Sequence, residues 1–206
     1  MDELVQALGA DSGISKSEVS RICKDLDTEV ALFRDRPLSH TVFPYVFVDA
    51  TYCKARVNHR VVSQAVVIAT GVSADGRREI LGLNVGDSED DAFWTSVRRS
   101  LKSRGLAGVQ LVGSDAHTGL VGALRSVFIG AAWQRCRVHF VRNVLARVRK
   151  GSAEMVAATI RTVFAQPDAT TVRTQLATVA GMLGRQFPQV ETMLSQAAED
   201  VTGVGP

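Results

Sequence analysis

Between Tyr45 and Val85 the apolar residues come in extended runs, whereas from Ala92 onward most return at intervals of three and four. The runs predict strands over Tyr45–Arg56, Arg60–Val72 and Glu79–Val85, with a turn at Ala74-Asp75-Gly76. A helix opened by Ser88 and running to Arg104 follows, with Ala92, Phe93, Val97 and Leu101 on one face. Next come a strand ending at Ser114, a helix over Gly119–Val127 and a short strand over Ala132–Cys136. Beyond Val138 the pattern is helical: Phe140–Arg149, Ser152–Phe164, Ala169–Leu183 and Pro188–Asp200. At the other end Leu4, Val5 and Leu8 mark a helix and Gly9 to Gly13 a break. Ser15-Lys16-Ser17-Glu18 then has capping-box spacing ahead of Val19, Ile22, Leu26 and Val30. A proline-punctuated linker from Arg34 to Pro44 joins this small unit to the strands. Strands first and helices last predict an α/β core with a helical extension.

Two aspartates stand out against that pattern. Asp49 follows the apolar run Val46-Phe47-Val48, and Asp115 follows Val109 to Ser114. A bare carboxylate in a buried strand costs several kcal/mol, so it is hydrogen-bonded, neutralised or held against a metal ion. An aspartate at a strand end also caps helices, and Asp115, just before a helical pattern, fits that use. Asp49 does not, because β-type residues continue on both sides of it. If the two strands are neighbours, the two carboxylates meet and can share a divalent cation.

Composition narrows the class. The chain has 206 residues, 46% of them hydrophobic and 22% charged, which describes a globular protein with one good core and an appendage. No apolar run approaches the roughly 20 residues of a membrane span, and Met1-Asp2-Glu3 lacks the basic start of a signal peptide, so the expected compartment is the cytosol. Cys23, Cys53 and Cys136 are odd in number and widely spaced, as reduced thiols are. Neither G-x-x-x-x-G-K-[ST] nor G-x-G-x-x-G occurs, which sets aside a nucleotide-binding enzyme of the doubly wound type.

The net charge is only +3, so its distribution carries more than its total. Arg135, Arg137, Arg142, Arg147, Arg149 and Lys150 fall in a stretch free of acidic residues, while Asp87 to Asp91 is acidic. Such a run is often just a solvated helix face. Here, Phe140, Val141, Val144, Leu145 and Val148 form an apolar stripe that would anchor the helix and turn the arginines outward, toward phosphates. The N-terminal unit reads as helix, turn, helix, with Lys16, Ser17, Ser20, Arg21 and Lys24 exposed on its second helix. A helix-turn-helix lays that second helix in the major groove. Any two-helix hairpin shows the same pattern.

Three antiparallel strands and a crossover to a parallel fourth is the order of the ribonuclease-H-like fold, which sets the first and fourth strands side by side and brings Asp49 to Asp115. Two cations about 4 Å apart can then activate a hydroxyl and stabilise a leaving oxygen in phosphoryl transfer. Val48-Asp49-Ala50-Thr51-Tyr52, Gly113-Ser114-Asp115-Ala116-His117-Thr118-Gly119-Leu120 and Gln134-Arg135-Cys136-Arg137-Val138-His139-Phe140-Val141-Arg142-Asn143 together resemble the Mutator-type insertion-sequence transposases of bacteria. The resemblance runs from about residue 14 to about residue 200. It implies a DDE transposase with Asp49 and Asp115 as catalytic metal ligands for Mg²⁺ or Mn²⁺, and with the Cys136/His139 pair as a motif beside the active site. The implied partners are double-stranded DNA, meaning the terminal inverted repeats and the target, and further copies of the chain, in a nucleoid-associated protein.

The implied organisation is a partial helix-turn-helix unit over 1–36, an incomplete ribonuclease-H-like core over 37–138 and a helical insertion over 139–206. The third carboxylate of the family should follow that insertion. Glu191, Glu199 and Asp200 are the late carboxylates, and none has the family's context. The expectation is therefore a truncated copy without cleavage activity, and the alternative a DNA-binding regulator of transposition. Cys136 and His139 also fit half a zinc site, but Cys23, Cys53, His40, His59 and His117 supply no second pair. Trp94 and Trp133 read as core aromatics, with stacking on a displaced base the lesser use.

Overall fold

A computed structural model describes residues 15–57, 59–86, 91–116 and 118–202. The expected helix at Leu4 to Leu8, the opening role of Ser88, most of the acidic stretch from Asp87 and the position of His117 lie outside those residues. Helix α1, Lys16–Asp35, begins at Ser15, whose side chain accepts from the Glu18 amide at 3.2 Å, as the capping-box spacing predicts. It runs 20 residues, with none of them buried, and ends at Arg36, the residue that Pro37 forces into extended backbone. A helix that buries no face draws nothing from the core.

The presumed linker is not a free tether. Its first two residues, Arg34 and Asp35, complete α1, and two of its apolar residues, Leu38 and Phe43, are buried in the core, while Val42 is exposed. The segment is also clamped by polar bonds. Arg36 donates to Glu79 at 2.7 Å and to the Ile80 carbonyl at 2.6 Å, and His40 Nε2 lies 2.9 Å from Glu79. Arg104 donates to the Arg36 carbonyl at 2.9 Å and to the Leu81 carbonyl at 2.5 Å. Partial burial, the largest single influence, pushes the Glu79 carboxyl upward. The hydrogen bonds and charges of Arg36 and His40 together outweigh it and hold the group below the usual carboxylate range.

A carboxyl so lowered stabilises the fold above its unfolded pKa, and that contribution is lost as pH falls through the folded value. Glu79→Gln is expected to cost about 1 kcal/mol at neutral pH, since the pair is only partly buried. Melting temperatures of the two proteins should differ fully above about pH 5 and converge as pH falls through the lowered folded-state pKa of the carboxyl. A difference that persists unchanged at pH 3 would remove Glu79 from the clamp.

Five strands form one mixed sheet in the order β3-β2-β1-β4-β5. They are β1 Tyr45–Val57, β2 Arg60–Val72, β3 Arg78–Gly86, β4 Leu111–Ser114 and β5 Ala132–Arg135. The first three are antiparallel neighbours, and β4 lies parallel to β1 on one side and to β5 on the other. The crossover that puts β4 beside β1 contains α2, Asp91–Ser103, and α3, Thr118–Val127, connects β4 to β5. Alternation along β1 buries Val46 and Val48 against Val67, Ala69, Leu81 and Val112, with Trp94, Val97 and Leu101 of α2 and Leu120 and Leu124 of α3 closing the core from the helix side. Gly113 has no side chain because the Phe47 ring crosses it, with Cδ1 2.8 Å from where a Cβ would stand.

After β5 the chain is helical: α4 Arg137–Leu145, a 3₁₀ turn Lys150–Ser152, α5 Ala153–Phe164, α6 Ala169–Gly184, α7 Pro188–Gln196 and α8 Ala198–Thr202. These pack on a second apolar cluster built from Phe140, Val144, Val156, Ile160, Val179, Leu194 and Val201, among others. Two expected helices differ. Phe140–Arg149 is shorter at its end, because the chain leaves the helix at Ala146 and Arg149 is extended. Pro188–Asp200 is broken at Ala197 into two pieces. Asp168 caps α6 by accepting from the Thr171 amide at 2.9 Å, and that bond holds its carboxyl below the usual range.

Candidate active site

The parallel register of β1 and β4 ends at Phe47 opposite Gly113, and two residues further along each strand stand Asp49 and Asp115. Both line one cavity of about 210 Å³, together with Val48, Ala50, Tyr52, Leu120, His139 and Arg142. The strands thus bring the two predicted carboxylates to one place. The physical reason differs from the expected one. Asp49 is not a charge trapped in a buried strand: it points to the exposed side of an alternating strand, and its side chain is 58% exposed. Asp115 is half-buried, and its Oδ1 accepts the amide of the next residue, Ala116, at 2.7 Å, a local bond and not a helix-capping one.

Helix α4 supplies a histidine and an arginine to the same cavity. His139 Nε2 stands 3.5 Å from Asp49 Oδ1, and the imidazole is only 16% exposed. Its other nitrogen, Nδ1, is buried with no hydrogen-bond partner. Arg142, one helical turn on, lines the same cavity. Cys136 does not line it; the residue sits at the N-terminal end of α4 without a side-chain cap bond, and its amide donates to the Ser114 carbonyl at 2.6 Å. Among the described residues there is no group of three or more His, Cys, Asp or Glu side chains that could hold a metal ion.

Ser114 is a residue that the sequence reading passed over. Its Oγ accepts from the indole of Trp133 at 2.9 Å and donates to the Asp115 carbonyl at 2.9 Å, tying β5 to the turn that carries Asp115. A serine at the end of an apolar strand was the only signal of it. The same bond gives Trp133 a structural role, and Trp94 is buried in the core. Tyr52 was seen only as a strand residue, yet it borders the cavity.

The basic residues disperse instead of forming one ridge. Arg135 sits on β5 with its guanidinium 4.9 Å from the Phe140 ring, and Arg137 stacks 4.9 Å from the ring of Phe164. Arg142 faces the carboxylate cavity. Arg147, Arg149 and Lys150 are exposed beyond the end of α4. The arginines were expected on the outer side of a single helix; the early end of that helix and the two aromatic rings account for the difference. Lys16, Arg21 and Lys24 are exposed on α1, where Arg21 pairs with Glu18 at 3.1 Å.

A sheet whose neighbouring strands β1 and β4 bring two carboxylates to one cavity, with a histidine and an arginine, defines a protein with a candidate cation site and an α/β core. The chain belongs to the Mutator family of transposases, whose family model matches residues 1–203. It is 43% identical over 201 residues to the transposase for insertion sequence element IS1081 of Mycobacterium tuberculosis, covering 98% of this chain and 48% of that one. It is 38% identical over 191 residues to the transposase for IS406 of Burkholderia multivorans, covering 92% and 49%. With the transposase for IS256 in transposon Tn4001 of Staphylococcus aureus it shares 40% identity over 151 residues, covering 73% and 39%. The chain therefore spans about half the length, or less, of these relatives. A structural likeness to the Drosophila P element transposase strand transfer complex, with a TM-score of 0.44 and 10% identity over 88% of this chain and 56% of that one, is too slight to bear an argument.

Proposed function

We propose that this chain forms the part of a DNA transposase in which Asp49 and Asp115 hold a divalent cation against DNA, within a ribonuclease-H-like core. The observation that carries the reading is the shared cavity of the two carboxylates, Asp49 within β1 just past its pairing with β4 and Asp115 just after the end of β4, in a chain of the Mutator family. The donor set suits the ion: carboxylate oxygens, with no thiolate lining the cavity, match Mg²⁺ or Mn²⁺. Such an ion, when bound, activates a hydroxyl and stabilises the leaving oxygen in phosphoryl transfer. The chain's own residues have simpler tasks. Asp115 is fixed by its bond to the Ala116 amide, His139 faces Asp49, and Arg142 brings a positive charge to the cavity where a phosphate would approach.

The same reading divides the chain into an α1 unit over 1–36, a sheet core over 37–138 and a helical insertion over 139–206, and takes terminal inverted repeats, target DNA and further copies of the chain as partners. The described residues bring two carboxylates to the cavity, fewer ligands than two ions require. We therefore expect the 206-residue chain by itself to bind Mn²⁺ weakly and not to cut DNA carrying insertion-sequence ends. That ligand count also favours the second reading, a DNA-binding regulator.

Mn²⁺ added in small steps to the ¹⁵N-labelled chain tests the assignment through paramagnetic broadening of amide signals. Broadening should centre on the residues flanking Asp49 and Asp115. Broadening centred on Asp75, Asp168 or the late carboxylates Glu191, Glu199 and Asp200, or none at millimolar Mn²⁺, overturns it.

A further inference from the structure

The hairpin of β1 and β2 outruns the sheet. On one side β1 pairs with β4 only as far as Phe47, and on the other β2 pairs with β3 only from Ala65 inward. Beyond those points, among the described residues, Cys53 to Val57 and Arg60 to Gln64 pair with each other in the ladder and with no third strand. Five residues at 3.3 Å each give a two-stranded ribbon that projects about 16 Å, turning at His59, whose φ is 64°.

A bare ribbon needs charges on its edges to avoid pairing with other strands, and charges of either sign would serve. Here they have one sign. Lys54, Arg56 and Arg60 are exposed, and no aspartate or glutamate occurs from residue 50 to residue 74. Tyr52, Lys54 and Arg56 lie two residues apart on one side of the strand, about 6.6 Å per step, while Arg60, paired with Val57, lies on the other side, which Asp49 shares. Tyr52, 58% exposed, borders the carboxylate cavity, so the arm leads away from that cavity with cations on both of its faces. A two-stranded ribbon is narrow enough to enter a major groove.

We propose that this ribbon is a DNA-contacting arm, with Lys54, Arg56 and Arg60 on the phosphates of a duplex whose scissile region lies over Asp49 and Asp115. The proposal rests on the DNA-transposing reading of that cavity, and adds the surface that holds the duplex in line with it. Apart from this arm, exposed cations are scattered over the molecule, from α1 through Arg78, Lys102 and Arg125 to Arg185, and among the described residues Arg142 is the one that lines the cavity.

The test is fluorescence anisotropy of a 30-base-pair duplex against the full 206-residue chain between about 50 and 200 mM salt. Each phosphate contact contributes about 0.9 to the slope of log affinity against log salt, so Lys54→Gln/Arg56→Gln/Arg60→Gln should lower that slope by about 2 to 3 and weaken binding at 100 mM salt about tenfold or more. The variant's circular dichroism and melting temperature verify that it folds. A second measurement needs no variant: saturating duplex should slow acetylation of Lys54 in the wild-type chain, read by mass spectrometry, while exposed Lys102 on α2 stays reactive. An unchanged slope and affinity, equal Lys54 reactivity with and without duplex, or no duplex binding by the wild-type chain each overturns the arm. The Mn²⁺ footprint at Asp49 and Asp115 is independent of these readouts, so a failed arm with an intact footprint leaves the cavity's reading standing, and the reverse result sinks the cavity's reading alone.

Discussion

Asparagine at both positions 49 and 115 is expected to erase the Mn²⁺ footprint while leaving the fold untouched. Asparagine keeps the shape and one oxygen of aspartate, so the Ala116 amide keeps an acceptor at position 115. What it removes is the negative charge that a hard dication requires. Asp49 is more than half exposed, and the charge lost there costs little in folding, so the melting temperature should move by no more than about 0.5 kcal/mol would produce. Each single variant should lose most of the footprint, because one carboxylate against water is a poor site. Retention of Mn²⁺ broadening in the double variant would mean that the two carboxylates are neighbours without being ligands.

How the two aspartates could be found in the sequence is worth separating from why they are there. Their position after apolar runs was legible, and so was the adjacency of β1 and β4, because an antiparallel meander followed by a crossover helix leaves few arrangements. The inference from burial was not sound for Asp49. Val46 and Val48 are buried, but Tyr45, Phe47 and Asp49 occupy the other face, and a run that is apolar at every position hides an alternation that only the structure reveals. Family motifs pointed to the same two residues, and the local burial argument misjudged the setting of one of them.

The helical half was legible in a different way. Periodicity located each helix to within a few residues, since three- and four-residue spacing persists as long as one face stays against a core. It could not locate the end of α4. Val148 continues the apolar stripe and is packed against the second cluster, yet it is reached by a turn and not by helix. Nor could it show that Arg135 and Arg137 stack on phenylalanines, because the ring of Phe164 comes from a helix more than twenty residues on. Charge runs indicate which residues are basic; tertiary packing decides which of them are free to meet a phosphate.

Phe140→Ala is expected to give the largest loss of stability. The ring is fully buried at the centre of the second cluster, where α4 meets α5 and the later helices. Truncating a buried phenylalanine removes its transfer free energy and leaves a cavity, together about 3–5 kcal/mol. A second cost adds to this one. The Arg135 guanidinium lies over that ring, and its Nε is buried with no hydrogen-bond partner among the described residues, so removing the ring strips a partly buried cation of the one aromatic face it has among the described contacts. Urea unfolding followed by circular dichroism should show a transition moved to lower urea by that amount, whereas Val138→Ala, at a position 74% exposed two residues earlier, should shift it by no more than about 0.5 kcal/mol. Since α4 also presents His139 and Arg142 to the carboxylate cavity, the Phe140 variant should lose its ordered histidine signals at the same urea concentration as its helical signal. A loss below about 1 kcal/mol, or histidine signals that survive the helical transition, would mean that His139 and Arg142 are positioned by the sheet and not by the helical cluster.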